Sequence, residues 1–205
     1  MTEKYILKLL TIGDQFVGKS SIINRYIDDK FNENIRPTLA IDYKTKMIQK
    51  GENLIKISIY DTAGEEKYRH LIKNYYNGSN GILLVFDITD KNSFDNLNFW
   101  LDELEKNCNL NNLYIFLVGN KTDLKKERKV SYDEAKNFAD MKKIPYIEIS
   151  AKTGDNIDKL FNDFIKGTII NIIEQKKKDN SFLKESFKIS FLDKDEKTIR
   201  DKKCC

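Results

Sequence analysis

An apolar run, Tyr5, Ile6, Leu7, Leu9, Leu10 and Ile12, leads directly into Gly13-Asp14-Gln15-Phe16-Val17-Gly18-Lys19-Ser20, and residues 21–27 continue with helical character. A buried strand, a glycine loop ending in Gly-Lys-Ser and a helix, in that order, leave few folds open. The two glycines let the backbone turn tightly enough for successive N–H groups to converge. Lys19 adds a fixed positive charge, and the Ser20 hydroxyl suits Mg²⁺. Such a loop at a helix N-terminus is a cradle for a triphosphate.

At 205 residues and 40% apolar content the chain can bury one sizeable core and carry a tail, but it is short for two full domains. Its net charge of +4 comes from 36 basic and 32 acidic residues that are interspersed, so no basic stripe for nucleic acid is expected. Cys108, Cys204 and Cys205 form no spaced framework for disulfides or zinc, which favours a reducing compartment. No stretch approaches 18 apolar residues, and the short N-terminal run feeds straight into the loop; neither a spanning helix nor a signal peptide is expected.

Further along, residues 31–41 are polar and broken by Pro37. Residues 43–49 and 54–60 read as a strand pair joined around Lys50-Gly51-Glu52-Asn53. Residues 64–78 read as irregular. Residues 81–88 (GILLVFDI) are a continuous apolar run, the pattern of a strand covered on both faces, and residues 113–118 and 146–149 repeat it. Between them, residues 93–108 read as a helix with Ser93 as cap, and residues 131–141 as one opening on a Ser-Tyr-Asp-Glu capping box. Ile157, Leu160, Phe161, Phe164, Ile165, Ile169, Ile172 and Ile173 recur at helical spacing and predict one apolar face against a sheet. Strands alternating with helices imply a doubly wound, mostly parallel α/β sheet with right-handed crossovers. The domain is expected over residues 1–174, with a tail over 175–205.

A phosphate loop alone leaves ATPases, kinases and GTPases open. Asn120-Lys121-Thr122-Asp123 stands after the fifth apolar strand, where an open α/β sheet places ligands. Asp123 can accept from N1–H and the 2-amino group of guanine, a donor pair that adenine lacks, while Lys121 covers the ring. Ser150-Ala151-Lys152 follows the sixth strand and can bring a backbone N–H to the guanine oxygen. In Asp61-Thr62-Ala63-Gly64 the aspartate can hold Mg²⁺ through water, and the Gly64 N–H can reach a γ-phosphate.

These motifs, with Thr38, stand in the order and approximate spacing of the small GTPases of the Ras superfamily, which residues 5–173 resemble. The resemblance implies the small-GTPase version of the P-loop NTPase fold, with six strands of which one is antiparallel. It implies GTP or GDP as ligand with Mg²⁺, held by Gly13, Gln15, Phe16, Val17, Gly18, Lys19, Ser20 and Ser21 at the phosphates. Asn120, Lys121, Asp123, Ser150, Ala151 and Lys152 would lie at the base, with Phe31 on the guanine edge. Ser20, Thr38 and Asp61 would serve the metal, and Lys19, Thr38, Gly64 and Glu65 the reacting phosphate. Residues 31–43 and 64–76 would be the two switches, ordered by the γ-phosphate and released on hydrolysis.

Residues 39–43 (LAIDY), 56–60 (KISIY), 67–72 (KYRHLI) and 75–79 (YYNGS), with the terminal Cys204-Cys205, are similar to Rab signatures. Leu39, Ala40, Ile41, Asp42, Tyr43, Tyr60 and Tyr75 would then form the surface that effectors read. The family usually has glycine at Ala40, phenylalanine at Tyr43 and tryptophan at Tyr60, so this surface is more polar. Residues 100–108 (WLDELEKNC) resemble the Rab branch of endoplasmic reticulum and lipid droplets, although Trp100 itself reads as core packing. As partners the resemblance implies an exchange factor, a TBC-type activating protein, a GDP-dissociation inhibitor, a Rab escort protein and effectors. The protein would be a monomer on the cytoplasmic face of endoplasmic reticulum, Golgi or lipid droplets.

The chain departs from the family pattern at Glu65, where a glutamine usually orients the attacking water. A carboxylate cannot donate as an amide does and repels a triphosphate, so slow unstimulated hydrolysis is expected over the other outcome, a glutamate of raised pKa that accepts a proton from water, and a GTP-gated binding module is the alternative reading. Gln15 and Phe16 replace small residues. Arg36, two residues before Thr38, reads as solvent-facing, and His70, the one histidine, as solvated or partner-facing. In the tail, residues 182–192 either link or dock a carrier protein. Five basic residues stand against four acidic from Asp193 onward, so lipid on Cys204 and Cys205, geranylgeranyl by resemblance, must supply the anchor.

Overall fold

The computed structural model describes residues 4–33, 38, 41–50, 53–64 and 69–178. Arg36, Pro37, Leu39, Ala40, Glu65, the tail strip 182–192, Cys204 and Cys205 lie outside the described residues, as does the side chain of His70.

A sheet of six strands, β1 (Lys4–Ile12), β2 (Ile41–Lys50), β3 (Asn53–Thr62), β4 (Gly81–Asp87), β5 (Tyr114–Asn120) and β6 (Tyr146–Glu148), runs in the order β2-β3-β1-β4-β5-β6. The β2–β3 hairpin is antiparallel, from Ile41 opposite Thr62 to Lys50 opposite Asn53, and every other pairing is parallel. Among the described residues six α-helices complete the frame: α1 (Lys19–Asp28), α2 (Arg69–Tyr76), α3 (Lys91–Asp95), α4 (Leu97–Asn107), α5 (Tyr132–Lys142) and α6 (Ile157–Lys178). Successive strands after β1 add on opposite sides of it, β3 on one and β4 on the other. The carboxyl end of β1 is therefore the topological switch point at which such sheets open a crevice.

The sheet separates two cores. On one face Ile22 and Ile23 of α1 and Leu160, Phe161, Phe164, Ile165 and Ile169 of α6 pack on Leu7, Leu9, Ile55, Ile57, Val85 and Val118. On the other, Trp100 and Leu104 of α4 and Ala135 and Phe138 of α5 cover Leu10, Ile12, Leu84, Phe86 and Leu117. Every residue of β4 is buried, as its unbroken apolar run predicts.

Four readings are corrected. Residues 69–76 form helix α2, because Ile72 and Tyr76, one turn apart, both bury in the second core; burying an isoleucine of this kind stabilises by about 1.5–3 kcal/mol. The helix over 93–108 is two helices, broken at Asn96. The cap is Asp90, whose side chain accepts from the Asn92 N–H. Ser93 is buried instead, with its hydroxyl accepting from the Asp87 N–H at 3.0 Å. Ile6 is 67% exposed: at that end β1 pairs only with β3, and β4 joins from Leu9 onward, so the face of Ile6 has no neighbour to cover it. By contrast, Ser131 caps α5 as its capping box predicts, accepting from the Glu134 N–H at 3.1 Å. Helix α6 runs on to Lys178, and Gln175 Nε2 donates to the Asn111 carbonyl.

Candidate nucleotide site

A cleft of about 370 Å³ opens beyond the carboxyl ends of the strands, lined at one end by Gln15, Gly18, Lys19, Ser20, Thr38 and Gly64 and at the other by Phe31, Asn120, Lys121, Asp123, Ala151 and Lys152. Phe16 and Ser21 also line it. Gly13, Val17, Asp61 and Ser150 sit behind this lining and support it. Val17 is in the first core and contributes backbone alone.

The loop between β1 and α1 needs its glycines. Gly13 and Gly18 have φ of +139° and +97°, and a Cβ on Gly18 would lie 2.3 Å from Asn120 Nδ2. Phe16 adopts φ +63° without being glycine and is 66% exposed, its ring standing at the mouth of the cleft. Gly64 meets this loop so closely that a Cβ there would lie 2.2 Å from the Gln15 nitrogen. Only glycine lets the two backbones touch.

Lys19 is buried and donates to the carbonyls of Gly13 at 2.8 Å and Asp14 at 2.7 Å. Burial depresses its ammonium to about 8, opposed by the carboxylates of Asp61 and Asp14. A buried cation so held gains from an anion in front of it. Ser20 Oγ lies 2.9 Å from Thr38 Oγ1 and donates to Asp61 Oδ2, which is 3.4 Å from Thr38 Oγ1. Burial raises the Asp61 carboxyl above its ordinary range despite the opposing hydrogen bonds and the charge of Lys19. Two hydroxyls and one under-compensated carboxylate are a hard-oxygen donor set suited to Mg²⁺, which keeps several waters and takes few protein ligands. Among the described residues no group of three or more His, Cys, Asp or Glu offers a competing metal site.

At the far end, Lys121, at φ +71°, pairs with the buried Asp87 at 2.6 Å. Ser150 Oγ donates to Asp123 Oδ1 at 2.6 Å and fixes that carboxylate at the cleft. Asn120 is 2% exposed and spends both ends of its amide on the protein: Nδ2 donates to the Val17 carbonyl at 2.9 Å, and Oδ1 accepts from the Ala151 N–H at 3.1 Å. It is a strut joining the phosphate loop to the Ser-Ala-Lys turn, and a base oxygen would share the Ala151 N–H with it. Several supports had no sequence signal because their partners lie far apart along the chain. Arg25 donates to the carbonyls of Ala151 and Lys152 at 3.0 and 2.8 Å, and Lys152 pairs with Glu33. Asp87 was the most findable, as the last residue of an otherwise apolar strand.

Away from the cleft, Tyr43, Tyr60 and Tyr75 form a row of mutually tilted rings, with centroids 5.0 and 5.2 Å apart. The Tyr43 hydroxyl hydrogen-bonds with Ser58 Oγ at 3.1 Å, and Lys8 Nζ lies over the rings of Tyr60 and Tyr75. Asp42 is exposed beside them and Ile41 half-buried. Trp100 is core, as expected, at 1% exposure.

A family model described as the Ras family matches residues 8–170. Ras-related protein RABD2a of Arabidopsis thaliana is 41% identical over 157 residues, 77% of each chain. Ras-related protein Rab-1A of Dictyostelium discoideum is 42% identical over 159 residues, again 77% of each chain. GTP-binding protein YPT1 of Saccharomyces cerevisiae is 41% identical over 157 residues, 77% of this chain and 76% of that one.

Proposed function

The chain belongs to the Ras family as a Rab-type GTPase of vesicle trafficking that hydrolyses GTP, and from that membership we propose that its cleft binds GDP or GTP with Mg²⁺ and works a membrane-anchored switch. One observation carries the reading. A single cleft has a buried lysine and a hard-oxygen triad at one end and, at the other, a fixed carboxylate beside a pinned lysine.

Each residue then has a role. Lys19 meets the β- and γ-phosphates with its charge, and the N–H groups of residues 15–20 turn toward them. Ser20, Thr38 and Asp61 hold Mg²⁺, which when bound neutralises charge on the phosphate oxygens. Gly64 brings its N–H over the γ-phosphate where the two loops touch. Asp123 accepts from the two guanine donors, and Lys121, held by Asp87, lies on the ring with Phe31 at its edge. Glu65 takes the place at which the family carries the glutamine that orients the attacking water; a carboxylate in that role would repel the triphosphate and slow unstimulated turnover.

Tyr43, Tyr60 and Tyr75, with Ile41, Asp42 and the neighbouring Leu39 and Ala40, form the effector surface. Exchange factor, TBC-type activating protein, GDP-dissociation inhibitor and Rab escort protein complete the partners. No helix among the described residues is long and apolar enough to cross a membrane; geranylgeranyl groups on Cys204 and Cys205 hold the protein on the cytoplasmic face of endoplasmic reticulum or Golgi.

The test is release of a fluorescent GDP analogue into excess unlabelled GDP, with and without EDTA. Chelation is expected to speed release at least about ten-fold, the effect of losing one strong charge contact. Release that ignores EDTA would remove the Mg²⁺ part of the reading, and failure to bind the analogue would remove all of it.

A further inference from the structure

Helix α4 touches the phosphate loop from outside the cleft. Trp100 Nε1 donates to Asp14 Oδ1 at 2.7 Å, and Asn96 Nδ2, from the residue that precedes α4, donates to Asp14 Oδ2 at 2.6 Å, so both oxygens of one carboxylate are held by α4 and its N-cap residue. None of Asp14, Asn96 and Trp100 lines the cleft. The Asp14 carbonyl, meanwhile, accepts from Lys19 Nζ. Asp14 is thus fixed from behind through its side chain and from in front through its backbone.

The peptide that Asp14 shares with Gln15 is where the phosphate loop meets the loop after β3. A Cβ on Gly64 would lie 2.3 Å from the Asp14 carbonyl carbon and 2.2 Å from the Gln15 nitrogen. A shift there displaces an N–H of the cradle and the Gly64 contact together. Along the same helix Glu103 pairs with Lys73 of α2 at 3.0 Å. Residues 96, 100 and 103 follow helical spacing along one stripe, so α4 holds the phosphate loop and α2 against one frame.

Burying an indole explains why Trp100 is large and apolar, not why its N–H meets a charged loop residue. Packing also gives no reason for Asn96, which is exposed and makes no side-chain cap to its own helix. We propose that Asn96 and Trp100 are positioning residues for the phosphate loop: by gripping the Asp14 carboxylate they set the Asp14–Gln15 peptide that faces the phosphates. This rests on the reading of the cleft as the nucleotide site.

The experiment uses the full chain loaded with a fluorescent GDP analogue in Mg²⁺ buffer, chased with unlabelled GDP. The variants are Asn96→Ala and Trp100→Phe, the second keeping an aromatic ring while losing the donor. Each is expected to release the analogue about ten-fold faster, the low end for one lost hydrogen bond to a charged group. The double variant should gain less than the product of the two, because both donors serve one carboxylate. A purely structural role lowers the melting temperature of Trp100→Phe and leaves Asn96→Ala at the parental release rate. Release by Asn96→Ala within about two-fold of the parent, smaller than any lost charged hydrogen bond, overturns the inference even if Trp100→Phe fails to fold. A parent that never binds the analogue sinks the site reading and this inference with it; a parent that binds, with variants unchanged, sinks this inference alone.

Discussion

Replacing Asn120 by alanine removes two buried hydrogen bonds at once, the one to the Val17 carbonyl and the one from the Ala151 N–H. Each partner is a backbone group left without its mate, at about 1–3 kcal/mol apiece, so together about 2–6 kcal/mol. Water entering from the adjoining cleft can satisfy part of that, which favours the lower half, about 2–4 kcal/mol. For a domain of this size about 3 kcal/mol corresponds to a fall in melting temperature of roughly 6–12 °C. The same loss loosens both the phosphate loop and the Ser-Ala-Lys turn, so GDP affinity should fall about a hundred-fold if about 3 kcal/mol is transmitted. The assay is thermal unfolding at fixed GDP and Mg²⁺, paired with titration calorimetry. Asn120→Asp sharpens it. The aspartate still accepts from Ala151 but sets an oxygen against the Val17 carbonyl, so it should recover less than half of the loss. Parental stability and affinity in Asn120→Asp would refute the strut argument, since the donor to Val17 would then count for nothing.

Other expectations follow from the same geometry. Asp123→Asn removes the acceptor for the two guanine donors and offers an N–H instead; GDP affinity should drop at least about a hundred-fold while xanthosine diphosphate gains, read by competition for a fluorescent nucleotide. Gly18→Ala places a Cβ on Asn120 at a backbone angle that alanine resists, so loss of nucleotide binding is expected in calorimetry, and ordinary binding would contradict the close approach. Burial first, and Asp158 second, raises the Tyr26 phenol to about 12, while its ring stacks on Phe161 at 3.6 Å. A raised phenol favours the protonated fold, so this contribution is complete below the unfolded value near 10 and fades as pH rises through about 12. Tyr26→Phe keeps the stack and should flatten that part of the decline in urea unfolding between these limits; identical pH profiles would contradict it.

The parts of this molecule legible in sequence are those whose cause is local. The Gly13–Ser20 loop, the β2–β3 hairpin, the Ser131 cap and the apolar stripe of α6 each follow from neighbouring residues and were read correctly. Helix α2 is hard to read in sequence because it is short and, among the described side chains, Ile72 and Tyr76 alone are buried, while glycines flank the region. Ser93 looked like a cap and is instead a buried tie to β4, since the strand end it meets comes into place only in the fold. At the site the motifs named the lining, but not the ties among them. Asn120 lines the cleft and also braces two loops, a tie that no motif announces, and the anchors Asp87, Arg25 and Asp14 join residues whose separation carries no pattern.

The central claim is that one cleft selects guanine nucleotides and hydrolyses GTP. It is tested most directly by displacing a fluorescent GDP analogue from the full chain with GTP or with ATP in Mg²⁺ buffer, followed by single-turnover phosphate release from bound GTP. GTP is expected to displace the analogue stoichiometrically and to yield phosphate, and ATP at about a thousand-fold excess to leave it in place, because the polar discrimination of a missing donor pair exceeds that ratio. Equal displacement by ATP would contradict the account at its root.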